Sequence, residues 1–196
     1  MLNIVMFGPP GSGKGTQSVK ISDKFGFIHI STGDMLREEI NNKTEIGLEL
    51  KSYIDKGELV PDETVIKMIA SKINQNLSST GFIFDGYPRT IKQAILTDEI
   101  LAKNNSKINL VFSIDVDEEE LIKRVTGRAT TSNRTDDNIT VFQNRLEVYK
   151  KMTLPLFDFY SHQKKLIRIN GMLTVDGVFS ILKDEIENCL LSNIQK

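Results

Sequence analysis

The apolar run Leu2-Asn3-Ile4-Val5-Met6-Phe7 passes without a break into Gly8-Pro9-Pro10-Gly11-Ser12-Gly13-Lys14-Gly15-Thr16. A strand that dissolves into glycines and resumes as a helix carrying a lysine has the design of a phosphate-binding loop. Several backbone N–H groups must converge on phosphate oxygens, and side chains would block that approach. The following helix adds the positive end of its dipole, and Lys14 can set a point charge on the β- and γ-phosphates. Gly11, Ser12, Gly13, Lys14, Gly15 and Thr16 are therefore read as wrapping the phosphates of a nucleoside triphosphate.

One position departs from the general pattern, which sets Ser or Thr directly after the lysine as a magnesium ligand. Gly15 stands there, and the hydroxyl comes one residue later at Thr16. Magnesium is accordingly expected through waters and phosphate oxygens, with no direct protein ligand. The shift points away from GTPase-like switches and towards small nucleotide kinases.

Outward from this loop, short apolar runs alternate with longer segments of helical period. Strands are expected at residues 3–7, 27–30, 82–85, 110–116 and 166–169. Helices are expected at 14–25, 34–41, 62–76, 90–103, 118–126, 141–162 and 175–190. Such alternation implies a parallel sheet covered on both faces, with ligands beyond the carboxyl ends of its strands. Two stretches interrupt it. Residues 31–60 hold two helical pieces with no strand between them, and residues 127–137 are polar and aperiodic with arginines near both ends, as in a mobile lid.

At 196 residues, 39% hydrophobic and 26% charged, the chain has the size and composition of one soluble domain. A net charge of −1 gives no bulk electrostatic ground for nucleic-acid or membrane binding. The lone Cys189 forms no internal disulfide and is expected as a buried helix residue. Residues 1–7 read as a strand rather than a leader, and no apolar run approaches membrane-spanning length, so a reducing cytoplasm is the expected compartment. The methionines are expected in the core. His29 and His162 are expected to be structural or solvated, and Tyr149, Phe157 and Tyr160 to share one packed helix face.

Further motifs separate transfer from hydrolysis. Ser31-Thr32-Gly33-Asp34-Met35-Leu36-Arg37 follows the second strand, and Asp85-Gly86-Tyr87-Pro88-Arg89-Thr90 ends the third, with Gln93 one turn on. Asp85 suits the role of holding magnesium or its water shell. Arg128, Arg134 and Arg145 add guanidinium groups, which grip two oxygens at once and stay charged, as a transferring phosphoryl group requires.

Taken in order, GPPGSGKGT, STGDMLR, FIFDGYPRT with Gln93, Arg124 to Arg128, and Asn133-Arg134 to Asp137 followed by Arg145 resemble the adenylate kinase family in its short-lid form. The resemblance covers residues 2 to about 175. It implies the P-loop NTPase fold, a three-layer α/β sandwich with a five-stranded parallel sheet. A single domain is then divided into a core (1–30, 61–126, 138–196), an NMP-binding insertion (31–60) and a lid (127–137).

The resemblance also implies roles. Lys14 acts on the transferred end of ATP, Arg124 and Arg128 face ATP, and backbone near Leu173 lies beside its adenine. Thr32, Arg37, Glu58, Leu59 and Val60 receive AMP, Gly86, Tyr87, Pro88 and Arg89 hold its phosphate, and Gln93 bonds its adenine. Arg134 and Arg145 bridge the two nucleotides. Lys14, Asp85, Arg89, Arg128, Arg134 and Arg145 form the catalytic set for a monomer that handles ATP, AMP and ADP.

The short lid has no cysteine, so no zinc is expected. Asp136 and Asp137 fit either a lid clasp to arginines or a solvated cap on the next helix. A UMP/CMP kinase shares the phosphate loop, yet such kinases resemble this chain with Ala at position 32 and Asn at position 90. Thr32 with Gln93 suits a 6-aminopurine better. A GTPase lacks support from any NKxD motif, and an inactive nucleotide-binding module is the remaining alternative.

Overall fold

The computed structural model describes residues 1–129 and 138–194. Its order is β1 (Leu2–Phe7), α1 (Lys14–Phe25), β2 (Ile28–Ser31), α2 (Thr32–Asn41), α3 (Glu45–Lys56), α4 (Asp62–Asn74), β3 (Gly81–Asp85) and α5 (Ile91–Ala102). There follow β4 (Ile108–Asp115), α6 (Glu118–Ala129), α7 (Ile139–Val148), a π-helical turn (Tyr149–Thr153), α8 (Pro155–His162), β5 (Leu166–Asn170) and α9 (Val175–Ile194). The five strands form one parallel sheet in the order β2-β3-β1-β4-β5.

The period of two along β1 divides the core. Val5 and Phe7 face one side, with Phe82 and Phe84 of β3, Ile69 of α4, Leu101 of α5 and Tyr160 of α8. Leu2, Ile4 and Met6 face the other, with Ile21 of α1 and Leu182 of α9. A smaller cluster, Leu121, Val125, Phe142 and Leu146, joins α6 to α7. The one polar residue of β1, Asn3, is fully buried and hydrogen-bonded at both ends of its amide. Its Nδ2 donates to Ser106 Oγ (2.7 Å) and Lys107 O (2.9 Å), and its Oδ1 accepts from Phe82 N (3.3 Å). The β1–β4 register shifts at this residue.

Several expectations need correction. Residues 141–162 do not form one helix. Pro155 has no N–H to return to the preceding turn, and the chain widens so that Leu154 N bonds Tyr149 O (3.1 Å) before α8 starts. The expected shared face is split accordingly. Tyr160 is buried and Phe157 stacks on Phe7 at 5.8 Å, whereas Tyr149 turns to the cleft described below. The α6 helix runs on to Ala129, so Gly127 and Arg128 are helical rather than part of a loop. Met6 is buried, but Met152 and Met172 are exposed. Cys189 is half-buried on α9. Among the described residues no helix is long and apolar enough to cross a membrane.

Candidate active site

At the carboxyl end of β1 the chain turns through Gly13, which caps α1 at φ +95°, a left-handed conformation costly for any residue with a Cβ. No side chain caps the first turn of α1 and no acidic residue lies in it, which leaves its N–H groups for an anion. Lys14 Nζ donates to Gly8 O (2.8 Å) and Pro9 O (3.0 Å). Burial holds its pKa down to about 8, with Arg89, Arg145 and Arg128 repelling in the same direction against the attraction of Asp85. Gly11, Gly13, Lys14, Gly15 and Thr16 line a cleft of about 560 Å³, a size suited to small-molecule ligands. Ser12 is buried outside that lining and turns towards Gly8.

Asp85 ends β3 as a buried carboxylate, and its Oδ2 lies 3.4 Å from where a Cβ on Gly15 would stand. His29 Nε2 stands 3.4 Å from the same oxygen. His29 lines the cleft too, a location its strand position gave no means to anticipate.

A smaller extension of the cleft, about 60 Å³, is lined by Thr32, Arg37, Glu58, Leu59, Val60, Gly86, Tyr87 and Gln93. Ser31 Oγ caps α2 by accepting from Asp34 N (3.2 Å), which starts the helix two residues earlier than the apolar period suggests. Thr32 then donates to Gly86 O (3.0 Å), and Arg37 pairs with Asp34. Gly86 sits at φ +69°, where a Cβ would lie 3.0 Å from Arg89 Nη2 and 3.4 Å from Thr32 Oγ1. Arg89 Nε donates to the same carbonyl, Gly86 O (2.7 Å). Tyr87 is fully buried with its hydroxyl 2.7 Å from Thr97 Oγ1, and burial pushes its phenol up to about 12. Pro88 lies on the wall of the main cleft.

Arg37, Arg89 and Arg145 line both the cleft and its extension, and Arg128 lines the cleft alone. Arg145 is brought there by α7, which meets the C-cap of α3 where Asn144 Nδ2 donates to Lys56 O (3.3 Å). Arg124 points elsewhere: Nε donates to Glu120 Oε1 (2.8 Å) and Nη2 to Gly171 O (3.0 Å). Leu173 is an exposed residue outside both linings. Arg134, Asp136 and Asp137 lie outside the described residues. Tyr149 and Thr153 complete the wall, and Thr153 Oγ1 donates to Arg89 O (3.2 Å). Both owe their place to the π-helical turn.

The cleft therefore joins an uncapped helix start with a half-buried lysine to a pocket holding an amide, and arginines stand where the two meet. That arrangement can hold two anionic ligands end to end and neutralise charge developing between them.

A family model described as Adenylate kinase matches residues 6–165. A protein of Bacteroides thetaiotaomicron named Adenylate kinase is 47% identical over 187 residues, covering 95% of this chain and 99% of its own. One of Bacteroides fragilis with the same name is 48% identical, covering 91% and 95%. A third, from Methanosarcina barkeri, is 41% identical, covering 93% and 97%.

Proposed function

This chain belongs to the adenylate kinase family and is a nucleoside monophosphate kinase, and we propose that this cleft carries out reversible phosphoryl transfer from ATP to AMP, giving two ADP. The observation that carries this reading is the position of Arg37, Arg89 and Arg145, which border the phosphate-loop cleft and the amide-bearing extension alike. A donor phosphate chain on the loop and an acceptor monophosphate at Gly86 to Arg89 would then meet among these guanidinium groups.

Transfer is direct and in line, and no side chain serves as nucleophile. The α1 N–H groups and Lys14 hold the donor phosphates. Bound phosphate takes over the ammonium that Gly8 O and Pro9 O hold otherwise. Arg89, Arg128 and Arg145 neutralise the equatorial oxygens of the moving group, and Arg134 is assigned to the same group on family resemblance. The insertion, residues 31–60, closes over AMP and excludes water that would otherwise take the phosphoryl group. Arg124 and backbone near Leu173 are assigned to the ATP side on family resemblance alone.

Magnesium is the metal that family membership implies. Asp85 fits it, because a buried carboxylate stands at the foot of the loop beside Gly15. One carboxylate suits an ion that keeps its waters and rides on phosphate oxygens. When bound, the ion supplies charge neutralisation on the donor phosphates. The chain's own share is to hold that water shell through Asp85, with His29 beside it. Residues for both nucleotides come from one chain, which supports a monomer, and free adenine nucleotides as substrates favour the cytoplasm.

The test is ADP formation from Mg·ATP with AMP, UMP, CMP or GMP as acceptor. AMP is expected to be preferred strongly. Preference for UMP or CMP would move the chain to pyrimidine acceptors, and no transfer to any acceptor would leave only a nucleotide-binding module.

A further inference from the structure

The side chain of Gln93 is 2% exposed, on the wall of the smaller pocket, and it is held at both ends. Its Nε2 donates to Asp62 Oδ1 at 2.7 Å. Its Oε1 accepts from the Arg89 backbone N–H, also at 2.7 Å. These partners admit one orientation of the amide. A carboxylate only accepts and a backbone N–H only donates, so a flipped amide would set oxygen against oxygen and N–H against N–H.

Asp62 is itself fixed. It lies in the first turn of α4, and its second oxygen accepts from Thr90 Oγ1 (3.2 Å). The same Thr90 oxygen accepts from Gln93 N (3.2 Å) as the cap of α5. Asp62 and Gln93 are thus bonded directly and again through Thr90.

An unconstrained glutamine cannot tell a 6-aminopurine from a 6-oxopurine. Adenine offers a ring acceptor at N1 beside an amino donor, and hypoxanthine offers a ring donor beside a carbonyl acceptor. A free amide serves either by turning over. With one N–H committed to Asp62 and one lone pair to Arg89 N, Gln93 retains one N–H and one lone pair in a fixed order.

We infer that Asp62 is a specificity-determining positioning residue: it locks the Gln93 amide in the orientation that reads a 6-aminopurine monophosphate and refuses a 6-oxopurine one. The inference rests on the reading that Gln93 faces the acceptor base. Because the Asp62 bond is the charge-assisted one, it supplies the larger share of the lock. The Arg89 N–H supplies the remainder, so loss of Asp62 weakens the discrimination without inverting it.

The experiment compares kcat/KM for AMP and IMP, with Mg·ATP, in the wild type, Asp62→Asn, Asp62→Glu and Gln93→Leu, each checked by thermal melting. Asp62→Asn offers an amide that can donate as well as accept, and its AMP-to-IMP ratio is expected to fall tenfold or more, chiefly by a rise in kcat/KM for IMP. Asp62→Glu, still only an acceptor, is expected to keep the ratio even where its rates fall. A purely structural role would lower both substrates together and leave the ratio unchanged in Asp62→Asn, and that result overturns the proposal. Should Asp62→Asn fail to fold, Thr90→Val removes one anchor of Asp62. A ratio unchanged in that folded variant then counts against the lock, and a reduced one supports it. Gln93→Leu separates the two failures. Preference for AMP retained in that variant sinks the reading of Gln93 itself. Preference lost in it but kept in Asp62→Asn sinks only the role of Asp62.

Discussion

The donor and acceptor halves of the cleft are built from different materials. The phosphate loop is one contiguous stretch, and what it offers a ligand is an uncapped helix start with a single lysine. The acceptor pocket is assembled from α2, the turn before α4, the end of β3 and the start of α5, and its wall is a network of side-chain hydrogen bonds. Phosphate presents the same oxygens in every nucleotide, so backbone geometry and charge suffice to hold it. A base is distinguished by the order of its donors and acceptors, which takes side chains whose own orientation is fixed. Substitutions in the donor half should therefore lower transfer to every acceptor alike, while those in the acceptor half should alter the response to AMP.

The largest expected effect is in the shared charges. Lys14→Met and Arg89→Ala are each expected to lower kcat by about a thousandfold or more, the range seen when a transition-state cation is removed. Lys14→Met should do so equally for AMP and for any slower acceptor. A loss confined to AMP would break the division between the halves. The same variant removes a half-buried ammonium whose desolvation outweighs the attraction of Asp85, so its melting temperature is expected to be at or above that of the wild type. The Lys14 pKa near 8 in the folded chain lies below its ordinary 10.5. The unfolded chain therefore binds more protons between those values, and the penalty, full below pH 8, is relieved as pH rises towards 10.5.

Next comes Gly86, where the acceptor half uses backbone. Gly86→Ala forces a Cβ into a left-handed residue 3.0 Å from Arg89 Nη2. Its KM for AMP is expected to rise roughly tenfold or more, with stability lower by about 1–2 kcal/mol, while ATP affinity stays within about twofold. Steady-state kinetics with separate ATP titration checks this, and an equal loss on both substrates would mean that the two halves are not separable at this position.

The two halves also differed in how far they could be read from sequence. The loop was legible because its meaning lies in neighbouring residues: strand, glycines, lysine and helix follow one another. The five strands stood out as apolar runs for the same reason, and observed bounds differ from expected ones by one or two residues. Asp62 carried no signal, because its function depends on a residue 31 positions away brought close by tertiary packing. Asn3 would disrupt a buried strand were it not for Ser106 and Lys107, more than a hundred residues on. The helical period over 141–162 hid the π-helical turn, since one extra residue in a turn shifts the face without removing the apolar positions.

A smaller and subtler effect is protonic. With its pKa held down to about 8, Lys14 gives up its proton in a range where lysines ordinarily keep theirs. A polyphosphate on the loop favours the ammonium, so binding of an ATP analogue is expected to take up roughly half a proton near pH 8 and close to none at pH 6. Calorimetry in two buffers of different ionisation enthalpy reads this directly. AMP alone, further from Lys14, should take up less. Equal uptake for both ligands would place the two nucleotides on the same charge and blur the comparison.

The smallest effect tests the seam between the halves. The π-helical turn sets Thr153 so that its hydroxyl donates to Arg89 O (3.2 Å), while the Arg89 N–H is engaged by Gln93 Oε1. Arg89 is thereby held by its backbone at both ends as its guanidinium reaches the cleft. Thr153→Val keeps the shape of a buried residue and removes only the donor. The expected cost is about 1 kcal/mol of stability, with kcat down no more than severalfold and the AMP-to-IMP ratio unchanged, because the Gln93 amide keeps both of its partners. A fall in that ratio would show that the lock on Gln93 extends through the Arg89 backbone to the π-helical turn, and the acceptor network would then reach beyond its own pocket.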